Sequence, residues 1–130
     1  MPVEVQVLGF AALLQYVQFV LMAVPVNLQL GPRYTAGPRD EQRLPAGVGG
    51  RLHRALANHS ENLILFAIAV IVVVLGEASS PMTEKAAWVY LIARVVYVPA
   101  YASGIYMLRS LVFTVGFSAT LYMLVSALFW

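Results

Sequence analysis

From Ser110 to Trp130 the chain carries no charged residue, and a run of that length is what most restricts its fold. About 20 predominantly apolar residues in a helix suffice to cross the hydrocarbon core of a bilayer. Three further segments have similar reach. The stretch at about 5–30 holds Gln6, Gln15, Gln18, Pro25 and Asn27. That at about 50–76 has a polar first third and then an unbroken apolar run over 63–75. That at about 84–108 is interrupted by Arg94 and Pro99. The spans predict one all-α domain over 1–130, an integral membrane four-helix bundle with helices at about 5–30, 50–76, 84–108 and 110–130. Composition agrees, with 61% hydrophobic and 11% charged residues, against about half and a quarter in soluble domains.

Between the first two spans lies GPRYTAGPRDEQRLPAGVGG, whose Gly, Pro and charge content reads as loop. EASSPMT, residues 77–83, is a shorter loop, with Ser80-Pro81 ahead of Thr83 as a helix start. The third and fourth spans are joined by a tight reversal placed at Met107, Leu108 and Arg109. Pro99 frees a carbonyl near Val95 and bends the third helix, and Gly104 and Gly116 allow close helix packing. Lys and Arg concentrate on cytoplasmic flanks. Arg33, Arg39, Arg43, Arg51, Arg54 and Arg109 lie on one side, and only Lys85 on the other. The termini and the 77–84 loop are therefore non-cytoplasmic, which puts Trp88 and Trp130 at the outer interface. MPVEV offers no basic start for a cleaved signal, so the first span reads as a retained helix.

A net charge of +2 does not imply nucleic acid, because the basic residues flank hydrophobic spans instead of forming a polar face. There is no cysteine, so any thiol chemistry must use a thiol supplied by a substrate. His53 and His59 are six apart and on different helix faces, which disfavours a metal site.

Ionisable residues at membrane depth are costly and mark candidate functional sites. On the second span Arg51, Arg54, Asn58 and Glu61 are spaced three, four and three, a single helical stripe. On the third, Arg94, Tyr97 and Tyr101 are spaced three and four. At a rise of about 1.5 Å per residue, Glu61 lies roughly 15 Å from Arg51 along the axis and Tyr101 roughly 12 Å from Arg109. The stripes can face each other at similar depth, with Arg109 at the mouth. Arg94 lies deeper and calls for an acid, for which Glu61 is the intramembrane candidate. The same pair read as structure is a helix-to-helix lock.

RLHRALANHSENLILF, residues 51–66, resembles the signature of the MAPEG family, membrane-associated proteins in eicosanoid and glutathione metabolism. Its Arg-Ala pair followed by Asn and Glu reads here as Arg54-Ala55, Asn58 and Glu61. ARVVYVPAY and LRSLVFT resemble family sequence too, and GPRDE resembles bacterial members. The resemblance implies a homotrimer in a bacterial inner membrane, with glutathione as co-substrate between subunits and a lipophilic second substrate drawn from the membrane lipids' domain. By position, Arg54, Asn58 and Glu61 match residues that hold or support glutathione, and Arg94, Tyr97 and Tyr101 match third-helix site residues. Arg51, at the head of the same stripe, and Ser110 complete the expected glutathione-binding set. Arg109 matches the catalytic arginine that approaches the glutathione sulfur, and Ser110 follows it as in the prostaglandin synthase branch. Ala57, Leu56, Asn62 and Phe113 depart from the eicosanoid enzymes.

The chemistry suits these residue types. Glutathione carries two carboxylates and an ammonium, matched by arginine forks and one acid. Its thiol, with a pKa near ~8.5, must ionise to attack, and a guanidinium stabilises the thiolate without a general base. The implied activity is that of a transferase or peroxidase acting on lipophilic electrophiles or hydroperoxides. The alternative is a non-catalytic lipid- or partner-binding member. A small exporter would need an acid in an otherwise apolar first helix, which offers only Gln and Asn after Glu4.

Overall fold

The computed structural model describes residues 1–31 and 47–129. Arg33, Arg39, Arg43, the GPRDE segment and Trp130 lie outside the described residues. Among the described residues the chain forms four helices and no strand: α1 Val3–Leu30, α2 Gly47–Leu75, α3 Pro81–Ala102 and α4 Tyr106–Phe129. The all-α four-helix bundle read from the sequence is the architecture found.

Local chemistry sets the helix ends. α2 closes at Gly76, whose N–H bonds the Val72 carbonyl at 2.9 Å. A Cβ there would stand 2.7 Å from that same oxygen, so the turn admits only glycine without displacement. α3 opens with Ser80 as N-cap: its hydroxyl accepts from the Thr83 N–H, the Thr83 hydroxyl accepts from the Ser80 N–H, and Pro81 occupies the first turn. This reciprocal pair satisfies amide donors that a helix start otherwise leaves open.

The reversal between α3 and α4 lies at 103–105, not at Met107–Arg109. Gly104, at φ 80°, takes the left-handed conformation that ends a helix at little steric cost. Met107, Leu108 and Arg109 have no such freedom and are good helix formers, so they enter α4. The Arg109 N–H already bonds the Ile105 carbonyl at 3.1 Å. The shift puts Arg109 in the first turn of a helix.

α1 packs chiefly on α2, and α3 on α4, while α2 also touches both α3 and α4. The core is built from Val7, Ala11, Phe66, Ala69, Val70, Val73, Ala87, Tyr90 and Met123. The Phe66 and Tyr90 rings stack at 3.9 Å and 8°. Gly116 lets α4 approach α3 closely, since a Cβ there would lie 3.3 Å from that of Ala93. Such small-residue contacts are how helices pack where lipid removes the hydrophobic drive. The outer faces expose Leu13, Tyr16, Val20, Ile64, Ile92 and Leu121.

At the end where α1 begins, Glu4 is fully buried. Its Oε2 accepts hydrogen bonds of 2.7 Å from both the Ser79 and the Thr83 hydroxyls. The carboxylate thus lies against the N-terminus of α3, where negative charge is favoured. α1 over Val3–Pro25, α2 over Gly49–Leu75 and α4 over Met107–Phe129 are long and apolar enough to cross a membrane. α3, which carries Glu84, Lys85 and Arg94, is not among them and leans most heavily on α4.

Candidate functional site

α2, α3 and α4 border an open cavity of about 500 Å³ lined by Arg54, Ala57, Asn58, Glu61, Tyr97, Tyr101, Arg109, Ser110, Phe113 and Thr114. The helical period explains the set. Arg54, Asn58 and Glu61 recur along one face of α2, Tyr97 and Tyr101 along one face of α3, and Arg109, Ser110 and Phe113 open α4. Of the residues singled out in the sequence, all line this cavity except Arg51 and Arg94.

Arg51 serves the reversal instead. Its Nε donates to the Ala102 carbonyl at 2.9 Å, and its guanidinium lies over Gly104, within 3.6 Å of where a Cβ would stand. A cation bonded to the last carbonyl of α3 is a helix C-cap.

Tyr101 is the hub of the cavity. The Arg54 Nε donates to its hydroxyl at 3.2 Å, and the Arg109 guanidinium carbon lies 4.8 Å from its ring centre. Two cations therefore converge on one phenol, held by ring-face attraction as well as by the hydrogen bond. Among the described residues Glu61 is the one acid that lines the cavity, and it is exposed.

Arg94 corrects one expectation. It is buried, with 3% exposure, but its partner is not Glu61. The Nη1 donates to Asn58 Oδ1 at 3.0 Å and the Nε to His59 Nδ1 at 3.3 Å, while the guanidinium lies 4.2 Å from the Tyr97 ring centre. Glu61, exposed at the cavity that it lines, makes none of these contacts. Neutral acceptors and a ring face take the place of an acid.

His59, weighed in the sequence only as a metal ligand, has a place in the bundle that spacing does not show. It is fully buried, and its Nε2 lies 3.0 Å from the Ala11 carbonyl on α1. The usable signal was its position: a histidine turned away from the polar stripe of a membrane helix must find partners inside the bundle. Among the described residues no group of three or more His, Cys, Asp or Glu side chains is placed to hold a metal ion.

A second groove, of about 270 Å³, runs between α3 and α4 and is lined wholly by apolar side chains, among them Val89, Ile92, Val96, Leu111 and Val115.

Comparison with protein families gives a match to the MAPEG family over residues 7–129. No match was found among curated proteins or among solved structures.

Proposed function

The chain belongs to the MAPEG family, membrane proteins that include glutathione transferases and peroxidases as well as non-catalytic members, and from that footing we propose that it is a glutathione-dependent transferase or peroxidase acting on lipophilic electrophiles or hydroperoxides. The observation that carries the reading is the convergence of Arg54 and Arg109 on Tyr101 in a cavity whose remaining charge is Glu61. Two carboxylates and an ammonium on one tripeptide call for that mixture of cations and one acid. A volume of about 500 Å³ lies within the roughly 300–1,000 Å³ usual for small-molecule sites.

In this reading Arg54, Asn58 and Tyr101 hold the carboxylate groups and Glu61 the ammonium, with Tyr97 forming the wall and Arg94 supplying charge from behind it. Arg109 is the catalytic residue, its guanidinium stabilising the sulfur as thiolate. Its place in the first turn of α4, beside Ser110, adds the helix's open N–H groups and positive end to that field. The thiolate adds to an electrophile arriving from the lipid side, which then takes a proton, or displaces its leaving group. With a hydroperoxide it attacks the terminal oxygen, the O–O bond breaks, and the alkoxide leaves as the alcohol after taking a proton. A second glutathione then reduces the sulfenic acid formed, giving the disulfide and water. Glutathione as co-substrate, the homotrimer and the non-cytoplasmic termini belong to the same proposal.

Arg109→Ala should lower turnover of a lipophilic electrophile with glutathione by about 10²-fold, in a protein whose oligomeric state and melting temperature are retained. Unchanged turnover would refute the role given to Arg109. The apolar groove between α3 and α4 favours a second reading, a non-catalytic lipid-binding member. Lipid copurifying with a protein that glutathione does not stabilise would support it.

A further inference from the structure

Behind the cavity wall the hydrogen-bond donors and acceptors can be oriented without ambiguity. The Ala11 carbonyl can only accept, so His59 Nε2, 3.0 Å away, must carry the proton. An arginine can only donate, so His59 Nδ1 must offer its lone pair to the Arg94 Nε, 3.3 Å away. Both ring nitrogens are committed, and the imidazole is neutral in its Nε2–H form.

The same logic fixes Asn58. Its side-chain oxygen accepts from Arg94 Nη1 at 3.0 Å and from Asn62 Nδ2 at 3.3 Å. The amide nitrogen is therefore the end left for the cavity that Asn58 lines. Arg94 itself keeps one terminal nitrogen, Nη2, buried without a partner among the described residues. Of the groups around it, His59 and Asn58 come from α2, and Tyr90 and Tyr97 from α3. None of them carries negative charge at neutral pH.

We propose that His59 is a positioning residue of this site. Locked in one neutral tautomer between the Ala11 carbonyl and Arg94, it holds the arginine's charge inside the bundle without neutralising it, and so turns the Asn58 amide donor-side toward the cavity to receive an anionic ligand group. Histidine is suited to the place because it bridges two helices with one donor and one acceptor on a rigid ring. An acid there would meet the arginine but cancel its charge.

Two measurements test this, and the second rests on the glutathione reading while the first does not. In the ¹⁵N-histidine-labelled protein in micelles at neutral pH, His59 should show a protonated Nε2 and an unprotonated Nδ1, with exposed His53 as the internal comparison. An imidazolium or an Nδ1–H form would overturn the inference whether or not glutathione binds. In calorimetry with glutathione, His59→Asp should bind at least about tenfold more weakly, because an added charge beside Arg94 cancels its field. His59→Asn, whose oxygen can accept from Arg94, should bind nearly as the parent does. A merely packing role predicts losses that follow melting temperature in both variants. If His59→Asp binds as the parent does, the inference falls. If the parent binds no glutathione while the spectra show the Nε2–H form, the glutathione reading falls and the His59 assignment stands.

Discussion

Tyr101 sits between two guanidinium groups, and its hydroxyl and its ring do separable work. Tyr101→Phe removes the Arg54 hydrogen bond and leaves both cation–ring contacts in place. At about 0.5–1.5 kcal/mol for a net hydrogen bond, glutathione should bind roughly two- to tenfold more weakly, read by calorimetry. Gln18 offers a contrast within the same bundle. It is buried at 2% exposure, and among the described residues neither its side-chain nitrogen nor its oxygen has a partner. An unsatisfied buried amide costs on the order of 1–3 kcal/mol, so Gln18→Leu should raise the melting temperature in detergent. A fall would mean that the amide has a polar partner in the assembled protein.

At the scale of elements, the ends of α3 are held from outside it. Glu4 of α1 is bonded at its start and Arg51 of α2 at its finish. Glu4→Gln keeps the shape but gives up the charge against the helix N-terminus. It should cost about 1–2 kcal/mol, visible as a lower melting temperature with glutathione binding intact. Gly104→Ala, at φ 80°, should cost more than about 1 kcal/mol. It should also weaken binding, because that turn sets where Arg109 enters α4. These ends show what the sequence could and could not disclose. Helix period alone placed Arg54, Asn58 and Glu61 on one face and Tyr97 and Tyr101 on another, and Ser80-Pro81 announced the start of α3. Sequence places the turn too late because Arg109 resembles a polar break between apolar runs, whereas backbone freedom at Gly104 decides where the chain reverses. Arg94 calls for an acid in the sequence because burial of a cation demands compensation. Which neighbour supplies it depends on the rotation of α2 against α3, which spacing within each helix does not contain.

For the whole molecule, a bundle whose outer faces expose Leu13, Ile64, Ile92 and Leu121 is built for lipid. The family match over residues 7–129 and three helices long and apolar enough to cross make it an integral membrane protein. The charge asymmetry of the flanks predicts which ends face which side. Since the chain has no cysteine, Thr35→Cys and Ser79→Cys can each be probed alone in intact cells with a membrane-impermeant maleimide. Labelling at position 79 and protection at 35 is the expected pattern, and the reverse would invert the topology. The most direct test of the central proposal is calorimetric titration of the detergent-purified protein with glutathione, alongside Arg54→Ala. Saturable binding to the parent, at least about tenfold weaker in the variant as expected for a lost charged contact, is the predicted result. Absence of binding at millimolar glutathione, or equal binding by both proteins, would contradict it.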